Sequence, residues 1–497
     1  MFSGSRKLFA FVFIVSPFAA AQEMHVHSAP ERLGSVSFPV SCATSVQREF
    51  ERGVALLHSF AYAAAEEAFQ KVAEQDPQCG MARWGIAMTH FHQLWEPPIS
   101  PDSTAMAERE IAQATRIGAT TVRERGFIRA AALVFRDPSS APYPARALNY
   151  ERAMANLAAE NEEDVETQVF YALSLLANAS PADSTHLRQK KAADLLEPLY
   201  RLHPQHPGIA HYLIHACDNA EMAARARAAA EAYSKIAPSA PHALHMPSHI
   251  FTRLGLWPES IASNTAARAA ARRVGDTGEE LHAMDYLTYA YLQSGRDKDA
   301  AQVLEQLKSM PRLNNGDFKI GYAATAIPIR YLMERNQWAE AAVVVPLEGA
   351  PPHVVAIALW ARGLGLARSS PPVAADKQCN DLQKIEDQLQ NSGNLYWATQ
   401  VRVMKREVMA WSAQGQGKGD EAIVQLRGAA DEEDSIEKLP VTPGPIVPAR
   451  EQLGELLLGQ GRPKLAAKEF ETVLANTPGR RGALRGAAEA AEASRRQ

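Results

Sequence analysis

The sequence predicts an all-α chain, with helical hairpins stacked into a solenoid of right-handed superhelical twist. Three observations carry that expectation. Alanine is frequent and runs together, as from Ala223 to Ala232, while Val, Ile and Thr are not gathered into alternating stretches, which favours helices over strands. A spaced set of small and large residues recurs: Ala65, Phe69 and Pro77 follow Gly53 at the same offsets at which Ala466, Phe470 and Pro478 follow Gly454. At 497 residues the chain also exceeds one compact domain, which suits a repeat array without a single central core.

The N-terminus comes first. Arg6 and Lys7 precede an apolar run from Leu8 to Val15, and Pro17 and Ala19 to Ala21 follow it. A basic start, a short apolar centre and small residues before a cut describe a signal peptide over residues 1–21, so an exported chain, periplasmic or secreted, is expected. No cysteine follows the run, which gives no indication of a lipid anchor. No later stretch approaches the ~18 apolar residues of a membrane span, so the mature chain is expected to carry no transmembrane segment. Residues 22–45 read as a leader whose His25 and His27 are either an exposed copper-capturing tail or part of a disordered segment. Lys plus Arg number 52 against 56 Asp plus Glu, a formal net charge of −4, which supplies no electrostatic attraction for nucleic acid.

Export permits disulfides. Cys42 precedes the first helix of the opening repeat and Cys79 follows its second, so the two could tie the ends of that hairpin together. Cys217 and Cys379 stand alone and read as buried thiols.

The repeat array is expected over 46–438. Thr288, Gly295, Ala300 and Leu304 keep the phase of the first repeat, as do Ser248, Gly255, Ser260 and Asn264; the pattern is weakest between 100 and 200. Irregular stretches at Leu94 to Ser103, Pro138 to Pro144, Ser369 to Pro372 and Leu439 to Pro448 read as loops between repeats. Residues 439–497 read as a C-terminal unit, with a break expected near 440. The offsets from Gly53 and Gly454 resemble the tetratricopeptide repeat (TPR), in which a small residue lets the first helix approach its partner and a large one fills the space between them. That resemblance implies a concave surface taking a protein or peptide partner, which is an analogy of fold alone.

Seven of the 15 histidines fall between His203 and His249. Pro207, His211 and His215 align without gaps on Pro241, His245 and His249, each displaced by one TPR period. Each His pair is spaced i, i+4, so its imidazoles share a helix face. Adjacent first helices, packed at roughly 8 to 10 Å, would bring four imidazoles together around one ion, with His242 one turn before His245. Copper, zinc and iron all suit imidazole, and export adds weight to copper. Asp218 and Asp285 are candidate ligands, or partners orienting an imidazole from behind, or ordinary charged residues. The same histidines could instead be hydrogen-bonded core residues or bind a peptide carboxylate. His58, His90 and His92 form a second candidate group facing the groove, while His203 and His206 read as solvated.

No HExxH, CxxCH, GxSxG or Walker A pattern occurs. The segments His211 to Asp218 and Pro241 to Gly255 resemble those of a bacterial group of exported TPR proteins of unassigned activity. Three functions remain open: a scaffold binding a partner in its groove with a histidine metal site, a metal-dependent enzyme using that site, or an envelope metal carrier or sensor.

Overall fold

The structure, a computed structural model, describes residue 1 and residues 31–94, 99–369 and 375–496. The proposed signal peptide, His25 and His27 lie outside the described residues. From Arg32 onward the chain forms one compact unit, including the stretch 439–497. Every regular element among the described residues is a helix, and consecutive helices pack against each other as hairpins in the TPR manner.

The repeated offsets work as close-packing devices. Gln47–His58 and Tyr62–Gln75 form the first hairpin, and Gly80–Thr89 opens the next. Phe69 is fully buried between them. A Cβ at Gly53 would sit 2.8 Å from the Phe69 ring and one at Gly85 2.5 Å from it, so only glycine admits the ring on both sides. Phe470 in Pro463–Asn476 plays the same part, with Gly454 and Gly486 against its ring. A disulfide joins Cys42 to Cys79 across the first hairpin. Cys217 is buried, whereas Cys379 is only half-buried.

The hairpins continue through 100–200, where the glycine, alanine and phenylalanine signal fades. Helix starts are marked there by caps instead: Ser100 caps Pro101–Ile117, Thr121 and Glu124 form a reciprocal capping box on Val122–Phe135, and Asp164 caps Val165–Ala177. Side-chain oxygens satisfy the unpaired N–H groups of the first turn and so fix where each helix begins. Residues 32–43 are irregular but not detached, since Phe38 is buried against Phe50, Trp84 and Phe127.

Two long-range features shape the region around the histidines. The chain near 480 returns to the repeat after the histidines: Trp257 Nε1 donates to the Gly479 carbonyl at 3.3 Å and Arg481 N to Gln293 Oε1 at 2.9 Å. The four-proline segment 437–448 does not merely link repeats. It lies as a strap over Tyr286 and Arg330, and Val441 and Thr442 are buried. Tyr286 OH donates to the Thr442 carbonyl at 3.1 Å, and Arg330 Nη1 donates to the Pro445 carbonyl at 3.3 Å. No helix of the described residues is long and apolar enough to cross a membrane.

Because Phe69 wedges two glycines apart, Phe69→Ala should cost about 3–5 kcal/mol in a denaturant unfolding experiment, the usual range for losing a buried phenyl ring. A loss below about 1 kcal/mol would contradict this packing account.

Candidate metal centre

His211 and His215 sit on Pro207–Ala216, a helix begun by His206, whose Nδ1 accepts from Ile209 N, and by Pro207, whose missing N–H costs nothing in the first turn. His242 and His245 lie on Pro241–His245, and His249 lies on Pro247–Arg253. Pro247 interrupts the regular ladder, yet His249 N still donates to the Met246 carbonyl at 3.1 Å, so the turn persists and His245 and His249 share a face. Thr277–Gln293 adds His282.

Six rings meet, in two groups of three. His211, His215 and His242 each offer a nitrogen within 4.8 Å of the others, and so do His245, His249 and His282. None of the six is more than 9% exposed. The four histidines expected to share one ion are therefore divided between two groups, and His242 and His282 complete them. Contacts between successive helices explain the division. Side chains meet at sequence separations of 31 (His211 with His242, Asp218 with His249) and 37 (His242 with Glu279, His249 with Tyr286), about one turn to either side of the repeat period. His282 stands to His245 as Glu279 stands to His242, and the His245 and His282 ring centroids are 4.2 Å apart.

Acceptors beside four of the six rings place the proton on Nδ1. His245 Nδ1 faces Asn264 Oδ1 at 2.6 Å, and Asn264 Nδ2 donates to the Ser260 carbonyl, which sets the amide orientation. His249 Nδ1 donates to Asp218 Oδ2 at 2.8 Å. His211 Nδ1 donates to the His58 carbonyl at 2.6 Å, and His242 Nδ1 to Glu279 Oε2 at 3.2 Å. A neutral imidazole with its proton on Nδ1 has only a lone pair on Nε2. Those Nε2 atoms are aimed at each other, His245 to His249 at 3.0 Å and His211 to His242 at 3.2 Å. His215 Nε2 is buried with no hydrogen-bond partner.

Burial, reinforced by the neighbouring imidazoles, holds His211, His215, His245 and His282 well below the ordinary histidine value. Burial also brings His249 down to about 4, although Asp218 opposes it. Those five rings are neutral at pH 7, so a proton shared between the Nε2 atoms of His245 and His249 is disfavoured, and a metal cation is one group that could satisfy both lone pairs.

The surrounding charges are matched. Asp218 accepts from Arg253 and Lys438 as well as His249, and Lys438 comes from the strap. Glu279 is held by Lys319 Nζ at 2.6 Å on one oxygen and by His242 on the other. Asp285 is not at the centre: Arg330 grips both of its oxygens at 3.0 and 3.2 Å, both side chains are fully buried, and the same arginine reaches the strap carbonyls. Asp285 therefore anchors the strap rather than a metal.

The expected group of His58, His90 and His92 separates. His58 is buried with Glu166 and His206, His92 stacks on Tyr62 at 4.0 Å with its Nε2 on the Thr89 carbonyl, and His90 is half-exposed. His206, read as solvated, is 4% exposed, while its neighbour His203 is exposed as expected. Glu166 bridges the two imidazoles, at 2.9 Å from His58 Nε2 and 2.9 Å from His206 Nε2. Their Nδ1 atoms accept from Tyr212 OH and Ile209 N. Every nitrogen there is satisfied by protein, in contrast to the six-histidine chamber, and a Cβ at Gly208 would lie 2.7 Å from the His58 ring. This triad is a structural support that delivers the His58 carbonyl to His211.

The fold and the site together define a helical-repeat protein with a buried histidine chamber. No family description matches the sequence, and no curated protein matches it. Among solved structures, an IFIT1 monomeric mutant with Gppp-AAAA is 11% identical, covering 83% of this chain and 90% of its own, with a TM-score of 0.38. The yeast Tom70 structure is 11% identical over 90% of this chain and 88% of its own, with a TM-score of 0.35. The TPR domain of P58(IPK) is 11% identical over 91% of this chain and 99% of its own, with a TM-score of 0.23. At scores below 0.5 these likenesses add nothing to the hairpin packing already described.

Burial raises the Glu166 carboxyl, but His58 and His206 outweigh it and bring the group down to about 2 from 4.5. A depressed carboxylate stabilises the fold above its unfolded value, so this contribution should be complete above about pH 4.5 and fade as the pH falls toward 2. Glu166→Gln should lower stability by roughly 1–3 kcal/mol at pH 7, the cost of a buried hydrogen bond left unmade, and flatten the acid limb of a stability-against-pH curve. An unchanged curve would contradict the triad's role.

Proposed function

We propose that this chain is an exported metalloprotein whose TPR-type helical scaffold holds a transition metal, copper in preference to zinc or iron, in the six-histidine chamber. The observation that carries the reading is the pair His245 and His249, whose Nδ1 protons are committed to Asn264 and Asp218 while their Nε2 lone pairs converge at 3.0 Å. Two electron pairs so placed repel unless a cation lies between them.

Charge favours copper. Imidazole donors bring no formal negative charge, and Asp218, Glu279 and Glu437 balance Arg253, Lys438 and Lys319 one for one. The solvation cost of burying an ion rises with the square of its charge, so a monovalent ion suits this shell better than a divalent one. Cu(I) is the monovalent member of the set that imidazole binds, and an exported location, read from residues 1–21, agrees with it. Burial of all six rings weighs against a carrier that must hand its metal on, and leaves a resident centre.

The scaffold also has room for a ligand or partner. A cavity of about 560 Å³ lies beside the strap, lined by Tyr322, Tyr396 and Trp397 and by strap residues including Lys438. Lys438 ties this cavity to Asp218 and so to His249.

Elemental analysis of the mature protein purified from its own compartment tests the reading, alongside the variant His245→Ala/His249→Ala. Stoichiometric copper in the native protein, reduced by at least half in the variant, is the expected result. Native protein that is metal-free, takes up no copper and is no less stable than a copper-treated sample would overturn it.

A further inference from the structure

The two groups of three imidazoles are neighbours. The His215 and His249 ring centroids are 5.9 Å apart, and those of His242 and His245 6.1 Å, although each pair belongs to different groups. Within groups the separations are similar, 4.8 Å for His211 and His215 and 5.0 Å for His245 and His249. The chamber is one continuous cluster of rings with two foci.

Three imidazoles supply three positions of a tetrahedral ion and leave the fourth to an exogenous ligand, the arrangement of reactive rather than purely structural sites. No carboxylate belongs to either group of three, since Asp218 and Glu279 stand behind the rings on the Nδ1 side. A ligand joining the two foci must therefore come from outside, and rings that are at most 9% exposed admit only a small, uncharged molecule.

We infer that the chamber holds two copper ions, one in His211, His215 and His242 and one in His245, His249 and His282, and that together they bind and reduce dioxygen between them. The inference rests on the metal reading above and extends it to stoichiometry and ligand. The electron balance closes without another reactant: each Cu(I) gives up one electron and becomes Cu(II), and dioxygen accepts the two and is reduced to the level of peroxide. The O=O double bond falls to an O–O single bond as its π component is lost, the σ bond stays intact, and no proton moves. Dioxygen is small, uncharged and a two-electron acceptor, which matches both the burial and the pairing.

The test uses the mature chain, loaded anaerobically with Cu(I), counted for copper and then exposed to air. The expected result is about two copper per chain, uptake of about one dioxygen per two copper, a new near-ultraviolet absorption band, and Cu(II) that is silent in electron paramagnetic resonance because the two spins couple through the shared ligand. His215→Ala and His282→Ala, on separate helices and in separate groups, should each reduce binding to about one copper per chain and abolish the uptake. Two copper per chain with the resonance spectrum of isolated Cu(II), or with no uptake, would overturn the coupling while leaving the metal reading intact. One copper per chain in the unaltered protein would overturn the pair. No bound copper would defeat both this inference and the metal reading, and the unaltered protein decides each point even if a variant fails to fold.

Discussion

The centre depends on the fixing of imidazole protons at Nδ1. Asn264 holds His245, Asp218 holds His249, the His58 carbonyl holds His211 and Glu279 holds His242, and each acceptor has no hydrogen to offer in return. The second hydrogen bond of a ligating histidine sets its tautomer and orientation. At His245 and His249 it also turns two Nε2 atoms toward each other at 3.0 Å, a placement that a cation would satisfy.

The surrounding structure follows from keeping those acceptors in place. The His58 carbonyl lies at the end of the first helix of the first repeat, and the Glu166 triad and Gly208 bring it against the helix that bears His211. Asp218 is fixed by Arg253 and by Lys438 of the strap, and Arg253 also reaches Glu437. Asp285 and Arg330 hold the far end of the same strap. A segment of four prolines suits that task, because proline restricts the backbone and donates no hydrogen bond that would have to be satisfied. The strap thus packs over the helices that carry Tyr286 and Arg330, and its ionic contacts run to the histidine chamber.

Much of the fold was legible because close packing needs particular sizes at particular spacings: Gly53 and Gly454 with Phe69 and Phe470 revealed the hairpins at both ends. The i, i+4 spacing of His211 with His215 and of His245 with His249 likewise revealed which faces would carry imidazoles. The partnership across helices was not legible, since pairing equivalent positions of successive repeats assumes contacts at equal heights, whereas the side chains meet one turn off, at separations of 31 and 37. That offset hid His282. A search one turn away from the position equivalent to His245 in the next repeat would have found His282. Glu166 and Arg330 gave no local signal, because their roles exist only through contacts with distant parts of the chain, namely His58, Asp285 and the strap.

The most direct test of the account is a crystal structure of the copper-loaded protein with anomalous difference density collected on either side of the copper absorption edge. A peak should lie between His245 and His249 and another between His211 and His242, each about 2.0 Å from Nε2 atoms, the usual metal–imidazole distance. Density confined to the protein surface, with the facing Nε2 atoms joined by a hydrogen bond after a ring has turned over, would contradict it.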